Sequence, residues 1–501
     1  MQTVRVRGDY IGGSFVRPRR AESKIISVDP GDSGYRIGTF PVFPEHVDEA
    51  VEAARAAFGD WRRTEPEERA GVLRKFAAEV INRRDEIQRL LIAETGKTRW
   101  EAEAEVSGLE SRVESELREG VRAVSPFKVS EIRWGVQGRC WYRPLGVTAV
   151  LGSASSAFSL PCGHIIPALL AGNPVVFKPS KLVPGCGQLI AEIFDELGMP
   201  PGVFNLVQGD GEIGLALVRH PATEAILFTG SSQAGRRILI ASLDQPHKMV
   251  ALTMGGVNVS LVLEDADLER AVYENAMGSF SHTGQAYSST GVILVDGRVL
   301  PDFAEAFVAA VRELKVGYGL DPDVFMGPML SRTALERALD RQAQACRLGG
   351  RCLLSSEPLK MPRPGFYISP AVLAAPQPQP IDVIRPEGMS FGPDVMLMPV
   401  ASEQQAVTLA NSGSYPFCAS IFTEDSQRFA HLAEELRFGL VNHNLATTEI
   451  SMRLPLGGLG QSGNHRPAGL FAQRNCCYPV SSLQASGPFD RGRLPKVFPA
   501  R

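Results

Sequence analysis

Short apolar segments alternate with helical segments along the middle of the chain, and this alternation constrains the fold more than any other feature. The apolar segments have almost no polar positions, which is typical of strands buried on both faces of a parallel sheet. A second alternating set runs from about Val259 to Val441, so the sequence predicts an α/β protein with two doubly wound units. In the first set the predicted strands are 146–152, 173–178, 204–208 and 225–228, and the predicted helices are 160–171, 186–198, 212–218 and 232–241.

Two other patterns surround the first alternating set. From Val47 to Arg118 apolar side chains recur every three or four residues, so we expect packing helices there. Two strand-like segments on either side of Gly135 predict a β-hairpin within residues 128–146.

Composition and charge exclude several classes of function. The 501 residues include 52 basic and 55 acidic side chains, a net charge of -3, so no nucleic-acid partner is expected. No apolar run is long enough to span a membrane, and the N-terminal residues lack the apolar core of a secretory signal. The eight cysteines are scattered without zinc-ligand spacing, so we expect no metal site and free thiols in a reducing cytoplasm.

Glycine-containing junctions follow two of the predicted strands. Gly209-Asp-Gly-Glu-Ile-Gly214 fits the pattern G-x-G-x-x-G, and Phe228–Gly235 is a second junction of strand, glycine and helix. Such junctions let backbone N–H groups approach a pyrophosphate, although an ordinary glycine turn explains the first motif equally well. Lys178-Pro-Ser180 lies at the C-terminal end of another strand, the edge where open α/β sheets bind ligands. Three such edges in one unit favour a nucleotide pocket.

These segments resemble the aldehyde dehydrogenase superfamily over nearly the whole chain, in both their order and their spacing. Gly163-His-Ile-Ile-Pro167 and Gly463-Asn-His-Arg-Pro467 are most similar to the succinylglutamate-semialdehyde dehydrogenase branch. The other matching motifs are Trp61-Arg-Arg-Thr64, Glu94-Thr-Gly-Lys97, Arg143-Pro-Leu-Gly-Val147, Pro167-Ala-Leu-Leu-Ala-Gly-Asn173, Phe177-Lys-Pro-Ser180, Phe228-Thr-Gly-Ser231, Gly255-Gly256, Leu263-Glu-Asp-Ala-Asp267, Gly284-Gln285, Phe391-Gly-Pro393 and Pro455-Leu-Gly-Gly458.

The resemblance implies a subunit of three parts. A dinucleotide-binding domain would comprise residues 1–127 and 147–253, and a catalytic-type domain would comprise residues 254–474. Residues 128–146 and 475–501 would form the oligomerisation element and the C-terminal tail. A homo-oligomer, either a dimer or a tetramer, is expected to assemble through that element.

The resemblance also implies a site for NAD or NADP. Two ribose anchors of the family are replaced: Lys181 stands where a carboxylate is usual, and Met389 aligns with a glutamate. Lys181 removes an acceptor for the ribose hydroxyls and adds a positive charge that suits a 2′-phosphate. We therefore expect weakened dinucleotide binding with some preference for the phosphorylated form. The family positions for the adenosine and phosphate side are Lys178, Gly211, Gly230, Ser231 and Gly235.

The catalytic positions that the resemblance implies carry different residues in this chain. Family members use a cysteine thiolate to attack the aldehyde, a glutamate to activate the water that hydrolyses the thioester, and an asparagine to stabilise the oxyanion. Tyr287, at the end of Gly284-Gln-Ala-Tyr287, stands at the cysteine position. Thr253 aligns with the glutamate and Ser155 with the asparagine. The thioester mechanism is therefore expected to be lost.

The leading hypothesis is thus a catalytically degenerate member of the family. A phenol with its ordinary pKa is about 0.1% ionised at neutral pH, whereas a free cysteine is a few per cent thiolate. The chain would then serve as a scaffold or regulatory subunit, with co-assembly with an active paralogue as one form of that role.

Alternative functions stay open at this level. One is an active NAD(P)-dependent semialdehyde oxidoreductase, or an esterase, that uses non-standard groups such as His282 with Ser288 or Ser289. Another is a sensor that binds a dinucleotide or an acylated amino acid without turnover. Cys162 lies near a helix start, where thiol pKa values fall, but a small buried apolar residue is the more frequent role of such a cysteine.

Overall fold

The computed structural model describes residues 3–17, 21, 23–133, 135–386, 391–486 and 497, so Met389 and most of the C-terminal tail lie outside the described residues. The strands of the described chain are β1 Asp9–Ile11, β2 Ser14–Val16, β3 Ser23–Asp29, β4 Asp32–Val42, β5 Phe127–Arg133, β6 Val136–Pro144, β7 Thr148–Leu151, β8 Val175–Lys178, β9 Phe204–Leu206, β10 Ala225–Gly230, β11 Met249–Met254, β12 Asn258–Val262, β13 Thr290–Asp296, β14 Arg351–Leu354, β15 Ala371–Ala374, β16 Asp394–Val400, β17 Cys418–Phe422, β18 Leu440–His443, β19 Pro455–Leu456, β20 Ala468–Gly469 and β21 Cys477–Ala485. The α-helices are α1 His46–Trp61, α2 Pro66–Asn82, α3 Arg84–Thr95, α4 Arg99–Ser115, α5 Ser159–Ala171, α6 Pro184–Glu196, α7 Gly211–Arg219, α8 Ser232–Ser242, α9 Leu268–Phe280, α10 Leu300–Arg312, α11 Arg332–Arg347, α12 Ile381–Ile384, α13 Glu403–Ala410 and α14 Ser426–Glu435.

The first seven-stranded sheet contains the predicted strand–helix alternation. Its order is β11-β10-β7-β8-β9-β1-β2, and β7 to β11 are parallel. Every predicted strand and helix of this unit is present within a few residues of its predicted bounds. The strands are buried on both faces because helices pack on each side, as their continuous apolar sequence indicated. The α/β fold class is therefore confirmed.

The second seven-stranded sheet has the order β14-β15-β16-β13-β12-β17-β18. All of its neighbouring strands are parallel except β14, which pairs antiparallel with β15 at one edge. Helices α9 to α11, α13 and α14 connect these strands, so this is the second doubly wound unit that the sequence predicted.

The helical region predicted for residues 47–118 contains α1 to α4. Helix α4 begins with a capping box, in which the Thr98 hydroxyl and the Glu101 carboxylate bind each other's backbone N–H groups. Gly96, between α3 and α4, has a φ of 73°, a conformation that glycine adopts without strain. These local signals end one helix and start the next within four residues.

A three-stranded antiparallel sheet with the order β21-β6-β5 lies apart from the two large sheets in the pairing pattern. The predicted hairpin forms β5 and β6, and β21 pairs with β6 from Cys477 against Pro144 to Ala485 against Val136. The chain from Cys477 to Ala485 is thus one strand of this three-stranded sheet. No helix in the described part of the chain is long and apolar enough to cross a membrane.

Candidate active site

A cleft of about 580 Å³ lies where the carboxyl ends of the first sheet face the second unit. The segments after β7, β8 and β10 form one wall, as the sequence predicted for a ligand-binding edge. Helix α11 and the segment around Phe391 form the opposite wall. The residues that line the cleft and enter the argument below are Ser155, Gly230, Ser231, Tyr287, Arg341 and Arg385.

The wall formed after β10 has the features of a phosphate site. Gly230 and Ser231 line the cleft, and the Ser231 hydroxyl accepts a hydrogen bond of 3.2 Å from the Ala234 N–H at the start of α8. Gly235 lies beneath, where a Cβ atom would come within 2.3 Å of the Met254 sulfur. The glycine therefore lets α8 approach β11 closely, and the helix N-terminus faces the cleft with its partial positive charge. These residues fit the pyrophosphate of a dinucleotide.

Lys178 and Gly211 do not line the cleft. The Lys178 ammonium donates to the carbonyl oxygens of Pro179, at 2.5 Å, and Gly209, at 3.1 Å. Burial lowers the pKa of this lysine to about 8. Gly211 is the first residue of α7 and is likewise absent from the lining. The resemblance identified both positions, but it could not show that backbone carbonyls hold the lysine. The role of Lys178 and Gly211 in binding therefore stays a prediction.

Tyr287 lines the cleft, and its ring is half-buried. The ring meets Phe417 edge-to-face with 5.2 Å between centroids, and the Asn258 amide donates 3.1 Å to the Tyr287 carbonyl oxygen. Burial raises the pKa of the Tyr287 hydroxyl above its ordinary value, and the Arg112 charge offsets this only in part. The hydroxyl has no hydrogen-bond partner among the described residues, so nothing in the site activates it as a nucleophile.

Ser155 and Thr253 differ in their access to the cleft. Ser155 lines it, and its hydroxyl lies 3.3 Å from that of Ser153. Thr253, at the end of β11, is buried, pairs with Gly463 in an isolated bridge, and is not part of the lining. Of the three positions that the resemblance aligns with catalytic residues, Tyr287 and Ser155 thus line the cleft and Thr253 does not. The hydroxyls of Ser155 and Thr253 cannot abstract a proton near neutral pH.

His282 belongs to a buried charged cluster behind Ser155. Its Nδ1 lies 2.9 Å from the Lys97 ammonium, which forms an ion pair of 3.2 Å with Glu105. Burial, reinforced by the Lys97 charge, lowers the pKa of His282 well below its ordinary value. The Glu105 carboxylate also accepts from two N–H groups at the start of α5. The cluster is explained by charge pairing and helix capping.

The alternative pairing of His282 with Ser288 or Ser289 is not formed. Both serines are buried outside the lining of the cleft. The Ser289 carbonyl accepts from the Asn258 amide and the Ser288 carbonyl accepts from the Thr447 hydroxyl, while the Ser289 hydroxyl has no hydrogen-bond partner among the described residues. Successive residues point in different directions here, and the two residues that follow Tyr287 are buried in the protein interior. The geometry gives the esterase hypothesis no support.

Cys162 is a packing residue. Its side chain is fully buried in the core of the first unit, and burial raises the pKa of its thiol well above the ordinary value. The thiol therefore has no activated form at neutral pH, in agreement with the apolar role weighed from the sequence.

Arg112 and Glu116 form a buried pair of charged residues near Tyr287 that the sequence patterns did not indicate. The Arg112 guanidinium donates 3.3 Å to the Gly163 carbonyl, and a Cβ atom at Gly163 would lie only 2.1 Å from its Nη2. The Arg112 Nε and one Glu116 carboxylate oxygen have no hydrogen-bond partner among the described residues. Because Gly163 has no side chain, it leaves room for the Arg112 guanidinium in the core.

Replacing Glu116 with glutamine should stabilise the protein at alkaline pH. Burial raises the pKa of Glu116 to about 7, and the Arg112 charge offsets this only in part. Below the ordinary value near 4.5 the carboxyl is protonated in both the folded and unfolded states. As the pH rises from there to about 7, only the unfolded state loses the proton, so wild-type stability falls by about 3 kcal/mol relative to Glu116→Gln.

Denaturation of both proteins between pH 4 and pH 9 measures this difference. The two curves should meet at the acid end and separate through the window between the two pKa values. Glu114→Gln, on the preceding turn and partly exposed, is the matched control and should run parallel to the wild type. A constant gap between the wild-type and Glu116→Gln curves would contradict the buried-carboxyl account.

A second charged network supports the wall opposite β10. Asp394, at the start of β16, binds Arg341 of α11 at 2.7 Å and also binds Arg385. Arg341 donates a further bond of 2.6 Å to the Phe391 carbonyl. Burial alone would raise the pKa of Asp394, but the two guanidinium groups outweigh it and hold the pKa below the ordinary value. The ionised carboxylate thus joins α11 to the segment before β16.

Comparisons with known proteins agree with this geometry. A sequence profile described as "Aldehyde dehydrogenase family" matches residues 16–479. The chain is 36% identical over 477 residues to N-succinylglutamate 5-semialdehyde dehydrogenase 1 of Caulobacter vibrioides, covering 94% of this chain and 98% of that one. It is 35% identical over 448 residues to N-succinylglutamate 5-semialdehyde dehydrogenase of Paraburkholderia xenovorans, covering 88% and 90%. A solved structure of PnpE in complex with nicotinamide adenine dinucleotide superposes with a TM-score of 0.88 at 28% identity, covering 97% of this chain and 98% of that one.

Proposed function

The chain belongs to the aldehyde dehydrogenase family, and from that premise we propose that it binds a dinucleotide but does not oxidise aldehydes through a thioester. The observation that carries the proposal is the half-buried phenol of Tyr287 in the cleft, because the resemblance aligns this residue with the family's cysteine. Thr253 and Ser155 at the base and oxyanion positions support it, since neither supplies the missing function.

The electrostatics around Tyr287 strengthen the argument. A phenol is a weak nucleophile at its ordinary pKa, and burial makes the phenolate still scarcer. A cysteine thiolate in the same place would form and release a thioester, whereas a phenol held against Phe417 has no base within hydrogen-bond distance among the described residues. The reaction would therefore stop before its first covalent step.

Dinucleotide binding is supported by the wall formed after β10. Gly230, Ser231 and the N-terminus of α8 fit a pyrophosphate, and the cleft runs from there to Tyr287. A dinucleotide, when bound, would supply hydride transfer in the family's chemistry. In this chain Ser231 would bind a phosphate and Phe391 would pack against the other end of the ligand. We expect weakened binding, because Lys181 and Met389 stand where the resemblance implies two ribose anchors, and because the Lys178 ammonium is held by backbone carbonyls.

Two measurements on the purified full chain test the proposal. With NAD or NADP and N-succinylglutamate 5-semialdehyde, absorbance at the wavelength of the reduced cofactor should not rise above the aldehyde-free rate. Calorimetric titration with each dinucleotide should show binding, weakened in Ser231→Ala. Turnover at the median rate of enzymes, about 10 s⁻¹, would overturn the catalytic half of the proposal. Absence of binding heat with both dinucleotides, confirmed by an unchanged thermal midpoint, would overturn the binding half.

A second candidate function is semialdehyde oxidation by a different set of groups. The names of the two relatives described above favour N-succinylglutamate 5-semialdehyde as the aldehyde to assay. If this candidate is correct, cofactor reduction should survive in Tyr287→Phe, because the phenol would not be the nucleophile. The role of a scaffold or regulatory subunit, and co-assembly with an active paralogue, stay predictions.

We also propose a homo-oligomer, for which exposed apolar side chains provide the support. Ile240, in the last turn of α8, is 58% exposed, and Leu243, which directly follows that helix, is 71% exposed; on β21 Leu483 is 65% exposed. Adjacent apolar side chains on one helix are typical of an interface. In Ile240→Glu/Leu243→Glu, self-association measured by light scattering should weaken at least about tenfold. Leu348→Glu, at an exposed apolar position directly after α11, is the control, and an equal loss there would contradict an α8 interface.

A further inference from the structure

Cys346 and Cys352 are two exposed thiols that lie in contact at the end of α11. Their sulfur atoms are 3.0 Å apart. Both residues are exposed, whereas the other six cysteines are buried or half-buried. Cys346 is in the last turn of α11, and Cys352 is the second residue of β14. Among the described residues, these are therefore the two thiols that are exposed to solvent.

The turn between the two cysteines holds them in place before any bond forms. Gly349 has a φ of 87°, and its N–H donates 3.1 Å to the Cys346 carbonyl. The Gly350 N–H donates 2.9 Å to the Ala345 carbonyl, a pattern that ends a helix tightly. Cys352 is further held by its pairing with Leu373 in the sheet. A disulfide requires sulfur atoms about 2.05 Å apart, so the thiols need to approach by only about 1 Å.

The contact between the two thiols raises the pKa of Cys346, chiefly through its hydrogen bond with Cys352. Arg347 follows Cys346 and Arg351 precedes Cys352, and both arginines are exposed and form no ion pair within the described residues. The thiolate is the form that reacts with disulfides, so the pair should react faster as the pH rises. The positive charge of the two arginines attracts negatively charged small molecules such as glutathione.

We propose that Cys346 and Cys352 are a redox site, which small-molecule disulfides of the glutathione class oxidise to an intramolecular disulfide. One protein thiolate attacks the sulfur–sulfur bond of the oxidant, forming a mixed disulfide and releasing one reduced small thiol. The second protein thiolate then attacks the mixed disulfide and releases the second small thiol. The two protein thiols lose two electrons and two protons, and the oxidant gains them.

The disulfide would act on one wall of the cleft. Arg341 and Gln344 line the cleft from the last two turns of α11, and Cys346 lies two residues after Gln344. A covalent link from Cys346 to β14 restrains the end of this helix against the edge strand of the second sheet. Opening of the last turn of α11 should therefore become slower and rarer in the oxidised protein.

Tryptic digestion tests the site directly, because the sequence places cleavage points between the two cysteines. Cleavage after Arg341, Arg347, Arg351 and Lys360 releases 342–347 and 352–360 as separate peptides. After treatment of the full chain with oxidised glutathione, blocking of free thiols and digestion, we expect these two peptides to run as one disulfide-linked species. In Cys352→Ser the link cannot form, and peptide 342–347 should carry glutathione instead.

Two results would overturn the proposal. The first is that 342–347 and 352–360 each carry glutathione, or each remain free, in the wild-type chain under conditions that glutathionylate Cys352→Ser. The second concerns the effect on the cleft wall, measured by hydrogen exchange of the amides of residues 344–348. We expect slower exchange on oxidation in the wild type and no change in Cys352→Ser. If the linked peptide forms but exchange is not slower, the disulfide site is supported and the proposed effect on α11 is rejected.

Discussion

The Tyr287→Cys/Thr253→Glu/Ser155→Asn variant should gain dehydrogenase activity, with a rate of cofactor reduction at least about a thousand-fold above the unmodified chain. The three changes supply a sulfur nucleophile, a general base and an oxyanion donor at the positions that the resemblance aligns with the family's catalytic residues. The scaffold around them is intact, because both seven-stranded sheets and the cleft between them are present.

The size of the gain follows from the chemistry that is replaced. Each missing group is worth orders of magnitude, but groups that act as a unit are not additive, so the single variants should recover little. Thr253→Glu needs the most adjustment, since Thr253 is buried and bridges Gly463, and a carboxylate there must turn toward the cleft. Any residual deficit should thus be largest in the hydrolysis of the thioester.

Rapid-mixing kinetics separate these steps. A burst of reduced cofactor followed by a slow steady rate would show that the introduced thiol reacts while hydrolysis lags. Tyr287→Ser/Thr253→Glu/Ser155→Asn is the matched control, because it removes the ring and supplies no thiol. Circular dichroism and labelling of the thiol at position 287 would check that the triple variant is folded. If this folded variant has no more activity than the control, the three catalytic groups are not sufficient and the expected gain of activity is contradicted.

Fold and site differed in how far sequence patterns could predict them. The parallel strands from Thr148 onward were predictable because burial on both faces makes them continuously apolar. The pairing of β21 with β6 joins residues more than 330 positions apart, and no local pattern carries such information. The short strands Asp9–Ile11 and Ser14–Val16, the last two at one side of the first sheet, were missed for a related reason, since three residues are too few to show a period of two.

Within the site, the resemblance identified which residues to consider, whereas only the structure shows which side chains are in contact. The residue type at 287 was readable, but the edge-to-face contact with Phe417 depends on a strand far away in sequence. Likewise the Lys97 motif was recognised, while its contact with His282 across 185 positions was not. Charged clusters such as these arise from tertiary packing, so isolated residues in a sequence give little sign of them.

The Asp394→Asn variant should lose about 3–5 kcal/mol of unfolding free energy in the second unit, the second large effect we expect. The carboxylate is fully buried and neutralises two guanidinium groups, of which Arg385 is almost fully buried as well. Removing its charge leaves both arginines uncompensated in a region of low dielectric constant. The cost is therefore that of stranded charge, far above the value of a surface ion pair.

Hydrogen exchange of the amides in β13 and β16 measures this loss, because Arg385 also donates 3.1 Å to the Gly291 carbonyl of β13. Asp340→Asn is the matched control: Asp340 lines the same cleft from α11 but is exposed and forms no ion pair among the described residues. We expect the control to change stability by less than about 0.5 kcal/mol. Because Arg341 and Arg385 both line the cleft, Asp394→Asn should also weaken dinucleotide binding. If Asp394→Asn binds the dinucleotide and unfolds as Asp340→Asn does, the charged network does not hold this wall of the cleft.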